Sequence, residues 1–331
     1  MLTEDYIDYI RTVRRYSPRT QDIYASVLEG FCAFALDGGP EDGTLTAALT
    51  PSVIRNYEVH LLDERKQDPR TVNLHLSVLS GFCKYLVRKG LLPSNPVRLI
   101  SRPKTAKRLP AFYREDSMKA YFSSTGHDTD GQALAFQQTL SAASPGDATA
   151  KALYERRLAR LVVSILYGTG IRRSELLGLT VGDIDFQRKT MRVRGKGDKM
   201  REIPLVGSLC EEILLYLQSV ETMTGVQATP GRALLLTAKG RPLYPVYVDR
   251  AIKSELAQVG SISGRKSPHV LRHTLATELL DNGTDLNSIK ELLGHASLAA
   301  TQVYTHNSIE KLKSVYKTAH PRAKSGGNNG H

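Results

Sequence analysis

His269, Arg272 and His273 fall at spacings that would gather all three on one side of a helix. Two histidines four apart can ligate a metal ion. Here no glutamate follows the first histidine as in zinc proteases, and Arg272 would put a positive charge beside the cation. The better reading turns His269 and Arg272 toward an anionic group, with His269 as a proton acceptor and His273 packing or capping. Upstream, Glu175 follows Arg172 by three residues, close enough on a helical turn to hold the guanidinium. The plainer alternative is an exposed acid beside a solvated basic pair, Arg172-Arg173. Lys196 stands between Gly195 and Gly197, where a turn would let it swing. Lys199 competes for that role, and a solvated turn with no role is the third reading.

Several elements must position these residues. In the first hundred residues, Ser17-Pro18, Thr50-Pro51 and Asp68-Pro69 each set a capping side chain before a proline suited to a first helical turn. Val72, Leu76, Leu79, Phe82, Cys83 and Leu86 recur at helical spacing, and Gly90 closes that helix. A duplication runs through the region. Ser17-Pro18-Arg19-Thr20 is echoed by Asp68-Pro69-Arg70-Thr71, and Gly30-Phe31-Cys32 by Gly81-Phe82-Cys83. Two copies exclude a solenoid and predict two similar helices in one small bundle. Arg19 and Arg70 would each stand at a helix N-terminus, which attracts phosphate, unless the echo reflects only two similar helix starts.

Residues 97–110 read as a basic linker, with Arg98, Arg102, Lys104, Lys107 and Arg108 and no acidic residue among them. Such a strap suits wrapping a duplex, as Lys104, Lys107 and Arg108 would, or it is simply solvated. Residues 123–149, rich in Ser, Thr, Ala, Gly and Asp, read as an insertion. Beyond them Leu158 to Tyr167 predicts a buried helix, and Ser174 begins a short one. Alternation from Ile184 through Val193 to Leu205 then predicts a small antiparallel sheet with Lys196 at its hairpin. Residues 323–331 are expected to be a disordered tail.

The chain of 331 residues is long enough for two domains, and its 41% hydrophobic content suffices for two cores. The formal net charge of +12 favours a polyanion, with nucleic acid first and a merely basic surface second. Cys32, Cys83 and Cys210 form no CxxC pair, so reduced core thiols are expected. No signal peptide or membrane span is legible, and a cytoplasmic protein is the expectation.

Five segments in order carry a resemblance: Tyr167 to Leu176 (YGTGIRRSEL), Gly195 to Lys199 with Ile203-Pro204-Leu205, Pro268 to His273 (PHVLRH), Leu292 to His295 (LLGH) and Thr301 to His306 (TQVYTH). The chain resembles the tyrosine recombinase/integrase family, most closely its bacterial Xer branch. The resemblance covers nearly the whole chain apart from the insertion, and includes Asn95-Pro96 at the close of the first helical region.

The resemblance implies a mainly α fold with a small antiparallel β-sheet. A helical SAM-like core-binding domain (1–96) and a catalytic domain (111–322) would form a C-shaped clamp on double-stranded DNA. It assigns Tyr304 as the nucleophile that forms a 3′-phosphotyrosyl link, and Arg172 and Arg272 as the clamp on the non-bridging oxygens. Glu175 would support them. Lys196 would be the general acid for the leaving 5′ hydroxyl, and His269 and His295 would complete the phosphate site. No metal and no cofactor is implied, since the cations come from side chains and the phosphotyrosyl bond retains the energy of the broken linkage. As partners it implies a DNA recombination site and a homo- or hetero-tetramer joined by exchange of a C-terminal helix carrying Ile309, Leu312, Val315 and Tyr316. A DNA translocase at cell division is a further candidate. Chromosome dimer resolution is the expected role. Integration of a mobile element uses the same residues, a non-catalytic DNA-binding protein is a remoter reading, and a type IB topoisomerase shares the chemistry.

Overall fold

The computed structural model describes residues 1–36, 42–105, 111–125, 147–195 and 198–294. The chain divides into two compact units, Met1–Arg108 and Leu109–His331.

The first unit is helical: α1 (Leu2–Thr12), α2 (Pro18–Ala35), α3 (Asp42–Ala48), α4 (Pro51–Val59), a π-helical extension His60–Glu64, and α5 (Pro69–Arg88). The three expected caps are formed. Ser17, Thr50 and Asp68 each accept a hydrogen bond from a backbone N–H of the following turn, and each is followed by proline at the first helical position. The apolar stripe of α5, from Val72 to Leu86, is fully buried.

The duplicated Gly-Phe pairs have a packing reason. A Cβ on Gly30 would lie 3.2 Å from the Tyr57 hydroxyl, and one on Gly81 would lie 2.6 Å from that of Tyr6. The adjacent Phe31 and Phe82 each meet the same tyrosine's ring at 5.3 Å between centroids. Each copy therefore receives one tyrosine, hydroxyl on the glycine and ring on the phenylalanine.

The basic segment expected as a linker begins within this unit's packing. Val97 and Ile100 join the core, Asn73 Nδ2 donates to the Pro103 carbonyl at 2.9 Å, and Arg102 donates to Ser77 Oγ at 2.9 Å. Arg19, Arg70 and Lys104 are exposed, whereas Lys107 and Arg108 lie outside the described residues.

In the second unit α6 (Glu115–Thr125) is followed by α7 (Ala148–Thr169), the short α8 (Arg173–Leu177), strands β1 (Ile184–Asp185), β2 (Thr190–Arg194) and β3 (Met200–Pro204), then α9 (Gly207–Thr224), α10 (Pro245–Ala257), α11 (Pro268–Asp281) and α12 (Leu286–Leu293). Both helices flanking the expected insertion reach into it, so residues 123–125 and 148–149 are helical, and residues 126–146 lie outside the description. The hydrophobic core forms around α7, which is buried on every side from Leu161 to Thr169 and contacts α9, α10 and α11. The sheet is antiparallel in the order β1-β2-β3, with Val193 opposite Arg201 and Arg194 opposite Met200. β2 and β3 are thus antiparallel neighbours as expected, and Lys196, which falls between them in the chain, lies outside the described residues.

One buried acid in this unit carries a stability prediction. Glu278 on α11 is 5% exposed and accepts a hydrogen bond from the Tyr167 hydroxyl at 2.6 Å. Burial foremost, with help from the charges of Glu115 and Asp281, pushes its carboxyl up to about 7. An unfolded glutamate titrates near 4.3. Between those values the unfolded chain gives up a proton that the folded chain keeps. The contribution of Glu278 is therefore complete below about pH 4.3 and is lost as pH rises to about 7, by roughly 4 kcal/mol in all. Glu278→Gln should melt at a higher temperature than the wild type at pH 8 and at a similar one at pH 4.5. Parallel melting curves across that range would refute the assignment.

Candidate active site

The end of α7 and the start of α8 form one corner of the site. Gly170 ends α7 in the left-handed region (φ 63°), and a Cβ there would stand 2.5 Å from a Leu293 methyl. Glycine is thus required both by the turn and by the close approach of α12. Two residues on, Arg172 is the N-cap of α8. Glu175, at the third helical position, accepts from the Arg172 backbone N–H at 2.8 Å and from its Nη1 at 2.8 Å. Arg173 turns elsewhere and pairs with Asp249 on α10, which separates the roles of the two adjacent arginines.

The opposite wall is the C-terminal end of α12. Its last carbonyls have no intrahelical donors and sit at the negative end of the helix dipole. Three guanidinium groups take three successive ones. Arg201 Nε donates to the Leu292 carbonyl at 3.0 Å, Arg272 Nη2 to that of Leu293 at 2.6 Å, and Arg172 Nη2 to that of Gly294 at 3.0 Å. Arg272 also donates from Nη1 to the Gly170 carbonyl at 2.5 Å, closing the corner. Gly294 leaves the helix with φ 65° and leads directly to residue 295.

The electrostatics follow from this crowding. Arg272 is 7% exposed. Burial, then the charges of Arg172 and Arg201, push it down to about 10, with Glu175 opposing, and it stays charged at neutral pH. Burial alone would raise the Glu175 carboxyl, but hydrogen bonds from Arg201 and Arg172 hold it below the ordinary carboxylate range. His269, in the first turn of α11, is exposed. Partial desolvation, then the charges of Arg272, His273, Arg265 and Arg173, keep its imidazole below its usual value and so neutral near pH 7. His273 is also exposed, so the packing role expected for it is not present, because the fourth position after His269 turns away from the core.

The structure therefore brings Arg172, Glu175 and Arg272 together and sets His269 on the helix of Arg272. Lys196, His295 and Tyr304 lie outside the described residues. Arg201 is the residue that sequence reading passed over. Its signal was present: in β3 it alternates in phase with buried Ile203, so a charged residue occupies a core-facing position. Among the described residues no cluster of three His, Cys, Asp or Glu side chains could hold a metal ion. No described helix is long and apolar enough to cross a membrane.

Comparison with known proteins decides the family. The model of the phage integrase family matches residues 138–311, and that of the phage integrase N-terminal SAM-like domain matches residues 3–90. This chain belongs to the phage integrase family. The recombinase is 32% identical over 327 residues to tyrosine recombinase XerC of Chlorobaculum parvum, covering 97% of this chain and 94% of that one. It is 35% identical over 317 residues to tyrosine recombinase XerC of Mycobacterium sp. strain KMS, covering 95% and 97%. Its fold is similar to that of a lambda integrase dimer bound to a COC′ core site, with a TM-score of 0.59 and 18% identity, covering 100% of this chain and 78% of that one. The chain is an Xer-like, site-specific tyrosine recombinase, an enzyme that cleaves and rejoins DNA strands.

Proposed function

We propose that Arg172 and Arg272 clamp the non-bridging oxygens of the scissile phosphate while Tyr304 attacks its phosphorus. The Tyr304 oxygen bonds to phosphorus and its proton passes to His269. The bond to the 5′ oxygen breaks, and that oxygen leaves with a proton from Lys196, producing a 3′-phosphotyrosyl link and a free 5′ hydroxyl. His295 donates to the same phosphate. Rejoining is the reverse step with a 5′ hydroxyl as nucleophile, so no ATP is consumed.

The observation that carries this reading is the meeting of Arg172 and Arg272 at adjacent carbonyls, Gly294 and Leu293, immediately before His295. Residues a hundred positions apart converge where forked, charged donors can stabilise charge developing on a phosphate. Double-stranded DNA is the partner, with Arg19, Arg70, Lys104, Lys107 and Arg108 on its backbone. The active assembly is a tetramer joined by exchange of the C-terminal helix, and the role is resolution of chromosome dimers at cell division, together with a DNA translocase.

The test uses the duplex that the wild-type chain retains from a randomised library, rebuilt with a nick beside the cleavage position. Wild type should form an SDS-resistant adduct on the 3′ phosphate in EDTA and without ATP. Its affinity should fall steeply with salt. Failure to form the adduct would overturn the proposed reaction.

The same assay carries a pH prediction. His269 accepts a proton only when neutral, and its pKa lies below the ordinary imidazole value. Cleavage should therefore be flat above about pH 7 and fall about tenfold per unit only below about pH 6.5. His269→Gln should be slower and should lose that acid limb. A limb that persists in the variant belongs to another group.

A further inference from the structure

Arg201 enters the site on β3, the strand that follows Lys196 in the chain. It is 6% exposed and makes hydrogen bonds in three directions: Nη1 to Glu175 Oε1 at 3.1 Å, Nη2 to Glu175 Oε2 at 2.8 Å, and Nε to the Leu292 carbonyl at 3.0 Å. A Cβ on Gly294 would lie 3.1 Å from its Nη1, so the main chain passes directly over the guanidinium. One planar group thus ties together three pieces distant in sequence: the catalytic hairpin, the carboxylate that holds Arg172, and the end of α12.

This arrangement constrains Arg172. Its Nη1 and backbone N–H already occupy Glu175, while Arg201 takes a bond from each carboxylate oxygen. Glu175 is therefore held from both sides, and Arg172 Nη2 stays directed at Gly294, on the side where residue 295 follows. Without Arg201 the carboxylate would rotate onto Arg172 alone and draw it inward. The end of α12 would lose the fork beneath it. Lysine cannot replace this, since a compact ammonium lacks the planar fork that meets both carboxylate oxygens and the Leu292 carbonyl together.

We propose that Arg201 is a positioning residue for strand cleavage, acting through Glu175 on Arg172 and through the Leu292 carbonyl on the segment that leads to His295. The proposal rests on the assignment of Arg172 to the phosphate.

Its test is single-turnover cleavage of the selected, nicked duplex at saturating protein, with binding measured separately. Arg201→Gln should slow cleavage about 100-fold, the order for removing one donor of a preorganised anion site, while Kd changes less than threefold. Glu175→Gln should also slow it, and the double variant should fall no further than the slower single variant, because both act on one path. A methylphosphonate at the scissile position has less charge to clamp, so the Arg201→Gln loss should shrink on it; a merely misfolded protein would slow both substrates alike. Arg201→Lys keeps the charge and replaces Arg201→Gln if that variant melts below the assay temperature. It should be slowed at least tenfold at a melting temperature near wild type. Wild-type cleavage rates in either variant, a loss confined to Kd, or multiplying effects of the two substitutions would overturn the proposal. Absence of an adduct with the wild type would instead overturn the reaction assigned above.

Discussion

Tyr304→Phe is expected to abolish the covalent adduct while leaving DNA affinity within about twofold of wild type. The substitution removes one oxygen and keeps the ring, so charge, shape and the arginine contacts to DNA are retained. That oxygen is the proposed nucleophile, and losing the nucleophile of a covalent mechanism costs more than about 10⁴-fold. A phenol with a pKa near 10 is a poor nucleophile at neutral pH. In the proposed reaction the positive field comes from Arg172 and Arg272, which meet at the end of α12, and the proton acceptor is His269 on the helix of Arg272. Denaturing gels of the nicked duplex after incubation would measure the outcome. If Tyr304→Phe still traps DNA, another side chain is the nucleophile.

Arg272→Ala should lower the single-turnover cleavage rate about 10³-fold, since one of the two guanidinium groups proposed to clamp the phosphate is lost. It should also lower stability by about 1–3 kcal/mol, because the Gly170 and Leu293 carbonyls lose their donor at the buried corner between α7 and α12. The two effects separate experimentally. Chemical unfolding reads the second, and cleavage at a temperature where the variant is folded reads the first. Arg272→Lys should recover part of the stability and little of the rate, because an ammonium cannot span two acceptors as a guanidinium does. A folded Arg272→Ala protein that cleaves within tenfold of wild type would remove Arg272 from the clamp.

Much of the helical scaffold was legible from local chemistry. A cap is a contact between neighbours, so Ser17, Thr50 and Asp68 announced their helices. The α5 stripe is a periodic signal along one element, and its six apolar residues are all buried. The β2–β3 turn was equally readable from alternation on both sides of a glycine pair. The helical ends of the 123–149 segment were not, because Ser, Thr and Ala suit a loop or a helix equally; these turns continue helices whose buried anchors, Tyr121 and Ala150, lie just outside the segment.

The sequence by itself determined which groups are available: paired arginines, a glutamate three residues on, a histidine and arginine sharing a helix, and a tyrosine in a family motif. It also supplied the order of motifs that places the chain among the tyrosine recombinases. Only the tertiary structure decided how those groups are held. Arg172 caps α8 while Arg201 and Arg272 lie on β3 and α11, yet they share three consecutive carbonyls at the end of α12. The tertiary structure alone also sends Arg173 to Asp249 and turns Arg201 inward. The reason is physical. Caps and stripes are set by neighbours in the chain, whereas a buried guanidinium is satisfied only by acceptors that distant segments bring to it.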